Sequence, residues 1–197
     1  VLAVSEEIVE DSSEIEFANA DLKKYLLEDY DNNQDGKLSE KEMLQVEEID
    51  REFASEDGVD LTGLEYAKNL KTLRTKNIKN AEAIKHLTKL EKLCITFKTS
   101  TSTKVKASEL IKEQTNLKEL DVSGADFSGF DFSDFTQLKK ISIIESGITN
   151  IDSIKNLTNL RNINFNFNKI SNIKVLEDMD IKYVNINYQN IVEGPID

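Results

Sequence analysis

Leu138-Lys-Lys-Ile141-Ser-Ile143-Ile-Glu-Ser-Gly-Ile148-Thr-Asn-Ile151-Asp-Ser-Ile154-Lys-Asn-Leu157-Thr-Asn-Leu160 carries two apolar rhythms in succession. At its start, Ile141 and Ile143 flank Ser142, the period-two alternation of a strand with one buried face. From Ile148 onward the apolar residues Ile151, Ile154, Leu157 and Leu160 recur at every third position. A period of three is not the 3.6 of an α-helix; it matches 3₁₀ turns, which have three residues per turn. The stretch predicts a short strand, a tight turn and a 3₁₀-like return, after which Leu160 begins the sequence again.

Outward from this unit the same pattern recurs. Leu70-x-x-Leu73, Leu90-x-x-Leu93-x-Ile95 and Leu117-x-x-Leu120-x-Val122 precede it; Leu160-x-x-Ile163-x-Phe165 and Ile181-x-x-Val184-x-Ile186 follow. The leading residues are 20, 27, 21, 22 and 21 positions apart. The period-three returns recur at Ile78, Ala81, Ile84, Leu87 and Leu90, and at Ile170, Ile173, Leu176 and Met179. A unit of this size cannot bury its apolar face alone, so neighbours must stack into a solenoid.

With Asn168-x-Ile170 as a matching turn, these units resemble the leucine-rich repeats of bacterial internalin-like proteins. The resemblance implies an α/β leucine-rich repeat solenoid, with a curved parallel sheet on the concave side and 3₁₀ segments on the convex side. Two departures stand out. Asn168 is not matched by asparagine in every unit, and Phe127, Phe130, Phe132 and Phe135 replace the usual aliphatic residues in one repeat. These phenylalanines are expected in the core.

Ahead of the repeats, residues 31–42 read Asp-Asn-Asn-Gln-Asp-Gly-Lys-Leu-Ser-Glu-Lys-Glu. An EF-hand calcium loop needs oxygen donors at positions one, three and five, glycine at six and a backbone carbonyl at seven, followed by a ligand at nine and a bidentate glutamate at twelve. Asp31, Asn33, Asp35, Gly36, Lys37 (through its carbonyl), Ser39 and Glu42 fill those positions, making calcium the expected cofactor. Ser39 and Glu42 also satisfy a helix capping box, so a bare turn that starts a helix is the alternative. Phe17, Leu22, Tyr25 and Leu26 before the loop, and Met43, Val46 and Ile49 after it, predict flanking helices. The expected organisation is a disordered or export-proximal segment over 1–14, a helical EF-hand-like cap over 15–50 and repeats over 51–197. The resemblance implies that such a cap covers the first repeat, with the metal as structural support.

Charge divides the chain in the same way. Residues 1–60 hold 20 Asp/Glu against 5 Lys/Arg, and residues 61–197 hold 17 against 20. No basic stripe exists to neutralise phosphates, so nucleic acid is not an expected partner. No apolar run approaches the ~18 residues of a membrane helix. His86 and Cys94 are the only members of their kinds, and the register puts them on different faces; no hydrolase or phosphate-loop motif is present. The chain is therefore expected not to be an enzyme.

The register assigns outward positions on the concave face. They are Thr72, Arg74, Lys76; Lys92, Cys94, Thr96; Glu119, Asp121, Ser123; Lys140, Ser142, Ile144; Asn162, Asn164, Asn166; and Tyr183, Asn185, Asn187. The face should be basic near the cap, acidic at one strand and asparagine-rich at the far end. From these, Arg74, Lys92, Asp121, Ser142, Asn162, Asn164, Asn166, Tyr183, Asn185 and Asn187 are the candidate partner-binding residues. The expectation is a secreted or cell-surface module recognising a protein. A glycan or cell-wall binding module is the alternative, and a calcium-controlled regulator a further one. The extra length of one repeat, residues 99–106, is expected to protrude at the sheet's edge.

Overall fold

The computed structural model describes residues 14–98 and 104–189. The expected terminal segment, apart from Glu14, and residues 99–103 of the insertion lie outside the described residues.

Among the described residues, eight strands form one parallel sheet: β1 (Glu48–Asp50), β2 (Val59–Asp60), β3 (Thr72–Asn80), β4 (Lys92–Phe97), β5 (Glu119–Ser123), β6 (Lys140–Ile144), β7 (Asn162–Asn164) and β8 (Tyr183–Asn185). Their spatial order follows the chain, except that β1 and β2 both pair with the long β3, on its first and last residues respectively. The fourth position of every unit falls in one register, Ile49, Leu73, Leu93, Leu120, Ile141, Ile163 and Val184. The repeat thus aligns like with like across the sheet, so each strand's inward residues meet their own kind.

The returns form the opposite side. 3₁₀ segments cover Leu64–Tyr66, Glu82–His86, Asp152–Asn156 and Lys174–Asp178, while a single helical turn, α3 (Ala107–Leu110), follows the insertion. The period of three is visible as hydrogen bonding: Ile154 N–H donates to Ile151 (3.1 Å), Leu157 to Ile154 (2.9 Å) and Leu160 to Leu157 (2.9 Å). Each apolar residue therefore points inward once per turn. Phe127, Phe132 and Phe135 are buried and Phe130 is partly so, in edge and stacked contacts 4.8–6.1 Å apart. They are core, as the pattern required.

Asn168 is buried, and both ends of its amide are bonded. Its Nδ2 donates to the carbonyls of Ile143 (2.7 Å) and Phe165 (2.9 Å), and its Oδ1 accepts from Ser146 N–H (3.0 Å) and Ile148 N–H (3.1 Å). One unit later Gln189 substitutes for it, donating to Phe165 and Ile186 carbonyls and accepting from Ile170 N–H. The preceding residue of the turn is left-handed in successive units, at Glu145, Phe167 and Tyr188 (φ 54°, 57° and 56°).

At the N-terminal end the cap differs from expectation. Helix α1 (Ala20–Tyr30) is capped by Asn19, whose side chain accepts from Leu22 N–H and donates to the Ala54 carbonyl. Helix α2 (Glu40–Met43) is one turn long, not a helix through Ile49. Residues 48–50 of the expected helical cap are β1. The Glu47 carbonyl accepts from both Lys71 and Thr72 N–H, and Ile49, fully buried, pairs with Leu73. Val46-x-x-Ile49 is in effect an early repeat, and pairing with the β3 edge outweighs continuing a helix.

Candidate functional site

The loop between α1 and α2 is held by hydrogen bonds from its own backbone to its acidic and amide side chains. Gly36 is left-handed (φ 78°) at the sharp turn, and its N–H donates to Asp31 Oδ2 (2.9 Å). Asp35 N–H donates to Asp31 Oδ1 and Asn33 Oδ1, and Lys37 N–H to Asp35 Oδ1. Ser39 and Glu42 form the capping box. Glu42 is only 6% exposed, and its carboxylate accepts from Asn32 N–H (2.9 Å), Ser39 N–H (2.9 Å) and Ser39 Oγ (2.8 Å). Burial pushes its pKa up, but hydrogen bonds from Ser39, Asn32 and Asn33 together outweigh burial and hold it below the usual glutamate value. Asp31, Asp35 and Glu42 take part in no salt bridge among the described residues. Nor, among those residues, does any group of three or more His, Cys, Asp or Glu converge to hold a metal. The donor set, all oxygen and with three carboxylates lacking a cationic partner, suits a hard divalent cation. The side chains would have to draw together to enclose one.

Leu38, loop position eight, is fully buried, and its carbonyl accepts from Ile15 N–H (3.3 Å). Phe17, two residues on, lies so close to Gly63 that a Cβ there would sit 2.5 Å from its ring. The loop is thereby tied through residues 15–17 to the first return segment.

On the sheet's outward face the positions read from the sequence are exposed or half-buried, Ser142 excepted, but the charge pattern is altered. Arg74 pairs with Asp50 (3.2 Å) and Lys76 with Glu52 (2.6 Å), acids that lie on or beside β1. Lys92 pairs with Glu119 (3.4 Å). The end expected to be basic is neutralised by residues the sequence reading had placed in a helix or left unassigned. Asp121 is half-buried, and Ser142 is only 4% exposed. Farther along, the asparagines bond to one another: Asn164 Nδ2 to Ser142 Oγ, Asn187 N–H to Asn166 Oδ1, and Asn187 Nδ2 to Asn185 Oδ1. Asn162 and Tyr183 are exposed. Beside them, Phe167 (52% exposed) and Tyr188 (71%) stack with centroids 4.7 Å apart and rings 3° from parallel. Sequence reading missed this pair. The available signal was that both residues lie seven positions after a repeat leader, where Asn77 and Gly124 stand in other units.

His86 is exposed at the end of a 3₁₀ segment, and Cys94 sits half-buried on β4. Burial, helped by the Asp121 charge, pushes the Cys94 thiol above its usual value, so it stays protonated at neutral pH and is a poor nucleophile.

No family model and no curated protein matches this sequence. Solved structures do resemble the fold. An internalin of Listeria monocytogenes aligns over 90% of this chain and 58% of its own, at 17% identity and a TM-score of 0.59. A leucine-rich repeat protein of Leptospira interrogans aligns over 68% of this chain and 35% of its own, at 20% identity and a TM-score of 0.50. The fold is a leucine-rich repeat solenoid. This chain spans little more than half of the internalin and about a third of the Leptospira protein. The leucine-rich repeat assignment explains the in-register fourth positions and the 3₁₀ returns together. No helix among the described residues is long and apolar enough to cross a membrane.

Proposed function

We propose that this chain is a secreted or cell-surface binding module that recognises a protein through its concave face, with calcium stabilising the cap. The observation that carries the reading is the sheet itself. Parallel sheets are ordinarily covered on both faces, whereas here the outward side chains of β3, Arg74 and Lys76, and Asn162 of β7 are exposed. A rigid, polar, extended surface of this kind is what solenoids use for recognition. Its charges are mostly paired internally, which favours a partner that exchanges these pairs for its own and disfavours bulk electrostatic capture.

The test is differential. A partner identified by crosslinking through the concave face should lose binding on Asp121→Lys or Asn164→Arg. It should keep binding on convex-side changes such as Lys155→Glu. If the convex changes are the ones that abolish capture, the concave reading is wrong.

For the cap, Asp31, Asn33, Asp35, Ser39, Glu42 and the Lys37 carbonyl would hold the ion. With affinity of the weak extracellular type, ~1 mM calcium should add about 0–1.5 kcal/mol. Calorimetry should show the shift in the unaltered chain and its loss in Asp31→Ala/Glu42→Ala, with the distal repeats still folded. A shift that survives in the double variant would place the ion elsewhere.

A further inference from the structure

The geometry points to a second recognition site, a subsite for a neutral saccharide built by the stacked rings of Phe167 and Tyr188 and the amides beside them. Neither ring serves the core: one is 52% and the other 71% exposed. Nor does the turn ask for them, since both occupy a left-handed position (φ 57° and 56°) that bulky side chains rarely adopt. Gly124 stands at that point two units earlier, with φ 85°. What the rings gain there is a fixed mutual stack, 4.7 Å between centroids and 3° from parallel, which holds a flat apolar ledge without further packing.

The outward polar groups of the last two strands are uncharged, whereas Glu145, exposed one unit earlier at the same left-handed position with its N–H on the Asn166 carbonyl (3.2 Å), puts one acid at the edge of the patch. The outward face of β7 and β8 and the residues following them carry Asn162, Asn164, Asn166, Tyr183, Asn185 and Asn187, with no Lys, Arg, Asp or Glu among those positions. Asn187 is held from both ends, its N–H on Asn166 Oδ1 (2.8 Å) and its Nδ2 on Asn185 Oδ1 (2.9 Å). The Asn166 Nδ2 and Asn187 Oδ1 atoms make no hydrogen bond within the described residues, leaving one amide donor and one amide acceptor beside the rings. A charged partner would find no counter-charge among these six positions, with Glu145 at their edge the one acid in the same column of turns. A neutral pyranose offers the complementary set: an apolar face of C–H groups for the outer side of Tyr188, and hydroxyls that both donate and accept for the amides. This site shares Asn166 and Asn187 with the candidate protein-binding face, but the rings of Phe167 and Tyr188 belong to it alone, so sugar binding and protein binding can fail separately.

Saturation-transfer NMR with cellotetraose, maltotetraose and tetra-N-acetylchitotetraose, each added to the full chain, tests it. At least one should receive transfer from the aromatic protons. Tyr188→Asn and Phe167→Asn, which suit the left-handed turn, should weaken that binding about tenfold or more while the melting temperature stays level or rises. No transfer to any of the three sugars, or binding unchanged in both variants, overturns the proposal. So does loss of binding to a lysine-rich peptide in those variants while the sugars stay silent, which would make the rings a cation–π contact for protein.

Discussion

At the scale of single residues, the most consequential side chain in the repeats is one that touches no partner. Asn168 satisfies the backbone of two units at once, so replacing it strands buried donors and acceptors at Ile143, Ser146 and Ile148. Asn168→Leu should cost about 3 kcal/mol, measured as a lowered urea midpoint, because each unsatisfied buried group costs ~1–3 kcal/mol. Glu42 makes a pH prediction. Its folded-state pKa is depressed, so the stability it contributes is complete above the ordinary glutamate value and is lost as pH falls through the folded one. Acid titration of the cap, followed by exchange of the Ser39 amide, should therefore show protection fading below about pH 4.5. In Glu42→Gln that acid-dependent step should vanish. Phe167 and Tyr188 work the other way, since a bulky residue in a left-handed turn costs roughly 1–2 kcal/mol relative to glycine.

At the scale of elements, β1 separates what was legible from what was not. The repeats could be read because each unit restates the same positions, and six restatements overrule local ambiguity. Met43, Val46 and Ile49, spaced by three, fit one face of a helix as well as a repeat leader, and the acidic residues between them suit a cap. Only pairing with β3, a tertiary fact, decides for the strand. The error spread: with Asp50 placed in a helix and Glu52 left without a position, Arg74 and Lys76 looked free, and the candidate docking face looked basic. The sharp turn at Gly36 and the Ser39–Glu42 capping box were legible because their spacing is local, although the one-turn length of the following helix was not. If residues 48–50 are a strand, Arg51 N–H, bonded to the Arg74 carbonyl at 3.1 Å, should exchange slowly. Ile49→Asp, which buries a charge at a fully buried site, should cost more than 3 kcal/mol, whereas Leu44→Glu, at 43% exposed, should cost within about 0.5 kcal/mol. Equal costs for the two would mean that Ile49 is not buried and that β1 does not pair with β3.

At the scale of the whole molecule, stability in a solenoid is a sum over units and the interfaces between them, so the two ends need not be equal. Among the described residues the N-terminal end is closed: α1 buries Leu22 and Leu26, the loop over 31–42 buries Leu38, and Phe17 lies against Gly63. By the same measure the far end, among the described residues, is less covered. Ile151 is fully buried, but Ile173, one unit later at the same position, is 46% exposed; Ile163 is fully buried, but Val184 is 44% exposed. The repeat keeps its apolar pattern in the last described unit although those residues are less covered there, and the aromatic ledge sits on the same unit. A graded molecule follows, with opening that starts at β8 and is resisted toward the cap. Val184→Asp and Ile163→Asp test the gradient with one change at equivalent positions. The first should lower stability by less than about 1 kcal/mol, and the second by more than 3 kcal/mol. Hydrogen exchange in the unaltered chain should rank β8 as the first strand to open. A Val184→Asp cost equal to that of Ile163→Asp would mean that the last unit is buried in solution and the gradient does not exist.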